Sequence, residues 1–337
     1  MIVFTYMSTI QQVALLAKVS VATVSRVINQ SAHVSEGTRL RVDAAIKKLN
    51  YQPNAMGALL RKERTNMVLV LVHSVDNPFF SMIVQGIERH AHENAYNVLI
   101  CTTYGDKQRE QHYIKMLKNH FVDGVLLISN TLTLNEMNEL NQLYPVVQII
   151  EYIDGSNTPY YSVDYYAASV ELMEQLISAG KKCIAFIHAG STHIVSNLEK
   201  YRGYHDTLLR HGLPVVTPLI GEEYPFGFIS GKALTTLALD TLPEIDAFFV
   251  TSDLPAMGVI DELKHRQLDI PNDVAVVGFD NTLFSTLSSP QITTVELNTF
   301  DLGINAMKRL LKRINKADDE DETHIKLPYH IVKRESS

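Results

Sequence analysis

In the stretch SVATVSRVIN (20–29), Ala22, Ser25, Arg26 and Asn29 stand at i, i+3, i+4 and i+7, so a helix would carry them on one face. That face is small, hydroxylated and amide-bearing, with a single guanidinium. Serine and asparagine can bond phosphates or base edges, and arginine can grip guanine through two nitrogens. Val21 and Ala22 fall in the first turn, where a helix lying in the major groove meets base edges and can touch thymine methyl groups. Val24, Val27 and Ile28 lie on the other side and form a seam for burial. An amphipathic helix with a plain polar face gives the same wheel, so the stretch by itself leaves both readings open.

Short helices must hold that face. STIQQVALLAK opens at Ser8 and Thr9 with cap-forming residue types, and Val13, Leu16 and Ala17 are its apolar positions. A break at Lys18–Ser20 follows, and Ser20 can cap the helix that runs to Asn29. Ser35 can cap a third helix, with Leu40, Val42, Ala45, Ile46 and Leu49 as its apolar stripe, and Pro53 ends it. After Asn66 the texture changes. MVLVLV, NVLICTT, GVLLIS, VVQII, CIAFIH, AFFVTS and VAVVGFD are short apolar runs separated by helical stretches. Strands alternating with helices predict a parallel α/β sheet covered on both faces. Residues 67–337 exceed one ordinary sheet domain, so two similar lobes are expected.

Composition narrows the function classes. Hydrophobic residues make up 46% and charged residues 20%, as in a globular protein with a sizeable core. Residues 1–66 hold nine lysines and arginines against three acids, a balance of +6. The whole chain is −7, which leaves −13 for the rest. A basic head on an acidic body suits a polyanionic partner. Cys101 and Cys183 form neither a disulfide framework nor a metal pair, and a reducing, cytoplasmic setting, associated with the nucleoid, is expected. MIVFTYMST is a poor signal peptide, and Met7 is an alternative start. HAHEN (90–94) reads as a helix surface, because histidines two apart do not share a face. The acidic run DDEDE (318–322) reads as a solvated loop tip. Phosphate-loop, dinucleotide, nucleophile-elbow and zinc-protease motifs are missing from the sequence, so no enzyme, cofactor or metal site is expected.

The longest signal is a composite. Val13-Ala14, Ala17, Val19-Ser20, Thr23-Val24-Ser25-Arg26-Val27, Asn29, Val34-Ser35, Thr38-Arg39, Val42, Leu49, Tyr51 and Pro53-Asn54 stand together in order. This set resembles the head of the lactose-repressor/galactose-repressor (LacI/GalR) family of bacterial transcriptional regulators. Gln12 replaces that family's usual Asp, and Lys18 stands where Gly is common. The resemblance continues through HSVDNPFF (73–80), SNLEKYRGY, IDAFFVTSDLPAMG, DVAVVGFDN and PQITTV. It implies a multidomain chain: an all-α helix-turn-helix head at 8–56, a hinge at 57–66, and an α/β, two-lobed body at 67–337 like periplasmic binding proteins. The lobes would be 67–163 with 293–320, and 164–292 with 321–337, with three crossings between them.

The same resemblance implies roles. Val21 and Ala22 would set base preference, with Arg26 adding a base contact. Thr23, Ser25 and Asn29 would position the helix on phosphate, and Ser8, Thr9, Ser20, His33, Ser35, Thr38 and Asn54 would add backbone contacts. In PNAMGALLRKERTN (53–66) a hinge helix would form on DNA, with Ala58 beside it and Leu60 as a wedge in the minor groove. The effector cleft would be lined by Phe79, Phe80, Ser196, Lys200, Phe226, Ser252, Asp253 and Asp280. Lys200 replaces the usual Arg, and the two bond ligands differently. The implied partners are double-stranded operator DNA, a sugar- or nucleoside-like small molecule, a second copy of the chain and a regulatory protein, with no membrane. A dimer is favoured over a tetramer because no C-terminal leucine heptad is seen. The competing reading is a solute-binding component of a transport system.

Overall fold

The computed structural model describes residues 8–29, 34–51, 64–188, 194–221, 227–317 and 323–337. The chain divides into two units between Thr65 and Asn66. The first holds three helices, α1 (Ile10–Ala17), α2 (Val21–Asn29) and α3 (Glu36–Leu49). Thr9 closes a capping box at the start of α1: its hydroxyl accepts from the Gln12 amide at 3.3 Å, and Gln12 Oε1 accepts from the Thr9 amide at 2.9 Å. Gln12, the departure from the family pattern, thus closes the box. Lys18 ends α1 in the left-handed region at φ 53°, a conformation glycine adopts without cost. Ser20 then caps α2, its Oγ accepting from the Thr23 amide at 3.1 Å. Val13, Ala14, Ala17, Val24, Val27, Val42, Ala45 and Tyr51 form the core of the head, with Ile28, Ile46 and Leu49 packed against it. Two expectations fail here. Leu16 and Leu40 are 41% and 64% exposed, because three short helices cover only one face of each. Ser35 stands at the N-cap of α3, but its hydroxyl donates to Thr38 Oγ1 at 3.0 Å rather than accepting from a backbone amide.

The second unit contains the two α/β lobes. Strands β1 (Met67–Val72), β2 (Asn97–Thr102), β3 (Gly124–Leu127), β4 (Val146–Ile149) and β5 (Tyr160–Val163) alternate with helices α4 (Pro78–Glu93), α5 (Lys107–Lys118) and α6 (Leu134–Leu143). The second lobe contributes β6 (Ile184–His188), β7 (Leu219–Ile220), β8 (Ala247–Val250) and β9 (Ala275–Val277), with α7 (Tyr165–Ser178), α8 (Val195–Arg210), α9 (Phe228–Thr241), α10 (Asp253–His265) and α11 (Leu283–Leu287). The chain ends with β10 (Thr294–Leu297), α12 (Thr299–Ile314), β11 (His324–Leu327) and β12 (Tyr329–Val332). The first sheet runs β2-β1-β3-β4-β5-β11 and the second β7-β6-β8-β9, all pairs parallel. Both sheets therefore reverse strand order beside their first strand, the position where open α/β sheets bind ligands.

The chain passes between lobes after β5, through β10, and through β12, which pairs antiparallel with β10. One expected boundary is corrected. Residues 324–327 were assigned to the second lobe, but β11 pairs with β5 at the edge of the first sheet. The return begins only afterwards, where Ser336 bonds Val276 of β9. Helices meet through glycine. A Cβ on Gly86 of α4 would lie 2.1 Å from the Phe300 carbonyl oxygen, and one on Gly303 of α12 would lie 2.1 Å from that of Ile83. Gly231 and Gly258 do the same between α9 and α10, at 2.0 and 2.1 Å.

Candidate functional site

The face of α2 is presented as the wheel requires. Val24 and Val27 are buried, while Val21, Ala22 and Arg26 are exposed and Ser25 is half-buried. Val21 is 42% exposed, so its methyl groups are open to a partner surface. Several of the hydroxyls predicted to touch DNA are already engaged inside the head. Thr9 holds its capping box, Ser20 Oγ and Thr23 Oγ1 lie 2.9 Å apart, and Thr38 accepts from Ser35 and, at 3.3 Å, from Arg41. They shape the starts of the helices. Ser8 is half-buried just ahead of α1. His33, Asn54, Ala58, Leu60 and Phe226 lie outside the described residues, as does most of the 57–66 hinge; for Asn29 only the backbone is described.

In the body, strand ends deliver the cleft residues. Asn77 caps α4, its Oδ1 accepting from the Phe79 amide at 3.0 Å, which fixes Phe79 and Phe80 at the lobe junction, edge to face at 5.3 Å. Phe79 is buried and Phe80 half-buried. Across the junction, the start of α8 supplies Ser196 and Lys200. The Lys200 ammonium donates to the Thr251 carbonyl at 3.0 Å, faces Asp280 Oδ1 at 3.9 Å, and sits 4.0 Å from the centre of the Phe279 ring and 5.1 Å from that of Tyr165. Ser252 Oγ donates to Asp280 Oδ2 at 2.9 Å. Asp280 itself has φ 99°, a conformation costly for any side chain but glycine, and Asn281 follows at φ 48°. Arg334 secures this turn, donating to Asn281 Oδ1 at 2.6 Å and to the Ile292 carbonyl at 2.8 Å.

Two residues depart from the expected arrangement. Asp253 was predicted to line the cleft, but it turns inward. Its oxygens accept from the Thr282 amide (2.6 Å), the Thr282 hydroxyl (2.9 Å) and the Thr294 hydroxyl (2.7 Å), so it braces the Asp280 turn against β10. Glu151 was not foreseen. It follows β4 after Ile150, at the end of a buried apolar run, the only sequence signal for it. Its carboxylate crosses to the second lobe and accepts from both the amide (3.2 Å) and the hydroxyl of Ser196. Tyr165, Thr251, His188 and Phe279 were missed as well; they are core-type residues by sequence and are buried by fold.

Burial dominates the charges. It pushes the carboxyls of Glu151 and Asp280 above their ordinary values, while Ser196 and Lys200 respectively pull them back. Burial likewise lowers the Lys200 ammonium, opposed by Asp280 and Glu151. Asp253, buried beside the Asp280 charge, is pushed up to about 7. Next to Asp280 opens a cleft of about 710 Å³, lined by Phe79, Met82, Leu283, Asp280, Glu296 and Asp301 among others. Among the described residues no group of acidic, histidine or cysteine side chains could hold a metal ion, and no helix is long and apolar enough to cross a membrane.

Comparison with known proteins agrees with both halves. Residues 9–54 match the family described as bacterial regulatory proteins, lacI family. Residues 65–335 match periplasmic binding proteins and sugar binding domain of LacI family. Catabolite control protein A of Priestia megaterium is 33% identical over 330 residues, covering 98% of this chain and 99% of that protein. The HTH-type transcriptional regulator RegA of Clostridium acetobutylicum is 36% identical over 337 residues, covering 98% and 99%. The structure of the lac repressor dimer bound to operator and the anti-inducer ONPF superposes with a TM-score of 0.83 at 26% identity, covering 98% of this chain and 99% of that one. These relatives are transcriptional regulators rather than enzymes. The chain belongs to the LacI family of bacterial transcriptional regulators.

Proposed function

We propose that the chain acts, without catalysis and in the cytoplasm, as a homodimer that binds a palindromic operator and responds to a small molecule held between its lobes. The observation that carries the reading is α2: its valines at 24 and 27 are buried while Val21, Ala22 and Arg26 stand exposed on a basic head. Val21 and Ala22 set base preference, Arg26 adds a base contact, and Ser25 and Asn29 meet phosphate. Leu60 wedges into the minor groove at the dyad. In the body, Phe79, Phe80, Lys200, Ser252 and Asp280 meet the effector, Ser196 and Glu151 join the lobes beside it, and Asp253 positions the Asp280 turn. Effector and operator are linked because each favours one lobe arrangement, so each shifts the affinity for the other equally. A transport role finds no use for the reading helix.

The test is titration of the purified chain against labelled promoter fragments at several salt concentrations. Binding that falls steeply with salt and needs both halves of a palindrome supports the reading. Absence of any operator-specific binding, together with tight solute binding, would replace it with a transport role.

A further inference from the structure

Asp280 and Asn281 both have positive φ, 99° and 48°, which a residue with a side chain adopts only where its surroundings impose it. The strands that cross between the lobes supply much of that constraint. On β10, the Val295 carbonyl accepts from the Asp280 amide at 2.9 Å, and Thr294 Oγ1 accepts from the Asn281 amide at 3.2 Å. β12 pairs with β10 and leads, after Lys333, to Arg334. The Arg334 amide donates to Thr293 Oγ1 at 2.9 Å, and the Ser336 hydroxyl accepts from the Thr293 amide at 2.9 Å, so the guanidinium leaves a fixed backbone. Among the described residues it makes three bonds: Nη2 to Asn281 Oδ1 at 2.6 Å, and Nη1 to Ser285 Oγ at 3.0 Å and the Ile292 carbonyl at 2.8 Å. All three acceptors are neutral, so the planar fork is used for its shape. Its charge does not act on the carboxyl directly: burial raises Asp280, and Lys200 and Ser252 draw it back. Arg334 lines no part of the cleft beside Asp280.

We propose that Arg334 is a positioning residue, which ties the Asp280 turn to the crossing strands through Asn281 and so keeps Asp280 facing Lys200 at 3.9 Å. What this means for regulation rests on Asp280 being part of the effector site. Both crossing strands then grip the same turn, β10 through its backbone and β12 through Arg334. A change of lobe angle that bends them moves Asp280 relative to Lys200 with no change of contact inside the cleft. The second lobe carries the carboxylate, and the crossing decides where it points.

The test treats the full chain with acetic anhydride and follows each lysine by peptide mass spectrometry. Lys181 is the internal reference. It belongs to the same lobe, and its ammonium donates to the carbonyls of Pro271 and Asn272, at 2.8 and 3.1 Å, outside the turn. Arg334→Met keeps the aliphatic stem and removes the three bonds. A lysine that loses a facing carboxylate gives up its proton more readily and acetylates faster. Arg334→Met should therefore raise the ratio of Lys200 to Lys181 acetylation at pH 7 about tenfold, equivalent to a shift of about one pH unit. Asp280→Asn should give a similar rise, and the two changes together should give no more than either alone. If Arg334→Met fails to fold, Asn281→Gly takes its place, since it removes the 2.6 Å acceptor and tolerates positive φ. An unchanged ratio in these variants, an equal rise at Lys200 and Lys181, or additive effects of Arg334→Met and Asp280→Asn would overturn the proposal. Failure of the cleft reading looks different: Asp280→Asn would leave the effector response of operator binding unchanged, whatever the Lys200 rates do.

Discussion

Replacing Lys200 with methionine removes an ammonium but keeps an unbranched chain to lie against Phe279 and Tyr165. The losses are the bond to the Thr251 carbonyl at 3.0 Å and the charge facing Asp280 at 3.9 Å. Both side chains of the pair are enclosed, 6% and 7% exposed. Removing one partner of such a pair costs about 3–5 kcal/mol, since the other charge stays buried. Asp280 has an escape, because burial already raises its carboxyl and the variant lacks the cation that opposed it. It can take up a proton, and the penalty cannot exceed the cost of that uptake. A carboxyl raised in the folded state contributes stability that is present below its unfolded value and lost as pH rises through the folded one. The variant should therefore be about 3 kcal/mol less stable than wild type at pH 8 and only about 1 kcal/mol less stable at pH 5. Lys200→Met with Asp280→Asn should recover about 2 kcal/mol relative to the sum of the single changes. Urea denaturation reads this through circular dichroism and the fluorescence of fifteen tyrosines, the chain having no tryptophan. Equal penalties at both pH values, with additive single changes, would show that the two charges are not coupled.

Other outcomes follow from the same contacts. Val24→Ala opens a cavity in the small core of the head; a loss of about 2 kcal/mol should abolish operator binding at 37 °C while the melting of the body is unchanged. Arg26→Ala, at an exposed position, should leave stability unaltered and weaken operator affinity about 10- to 100-fold in fluorescence anisotropy. Gly231→Ala sets a methyl against the Pro255 carbonyl and should lower the midpoint of the body in urea, with head-only DNA contacts unaffected. Asp253 rises from 3.8 to about 7, so the folded form holds an extra proton between those values. Its contribution is present below pH 4 and lost through pH 7, by up to about 4 kcal/mol at roughly 1.4 kcal/mol per pH unit. Asp253→Asn should flatten the fall in urea midpoint between about pH 4 and pH 7.

The head was legible because its information is local. Caps, a three-residue turn and a wheel with one apolar side depend on neighbours within a few positions, and Val24, Val27 and Ile28 pack as the wheel requires. Leu16 and Leu40 were misread because periodicity reports what can be buried, not how much partner surface exists. In the body, strand runs such as MVLVLV declared themselves through length and apolarity. HIKL did not, since an edge strand alternates and carries no sign of which sheet it joins. The cleft was half legible. Lys200 and Asp280 face each other at the lobe junction, but the direction of Asp253 is set by Thr282 and Thr294, 29 and 41 residues downstream. Glu151 meets Ser196 only after 45 residues and a lobe crossing have been folded.

The placement of β11 and α12 bears on the order in which the molecule can be made. β11 completes an edge of the first sheet, and α12 seats Gly303 against Ile83 on the same lobe. Both are synthesised after all four strands of the second sheet. As the chain leaves the ribosome, the head can close on its own short-range contacts, but the first lobe must wait with one flank of α4 bare until residues beyond 299 emerge. The second lobe waits as well, because Ser336 pairs with β9. A nascent regulator would then hold a finished DNA-reading head before it has a cleft able to sense anything.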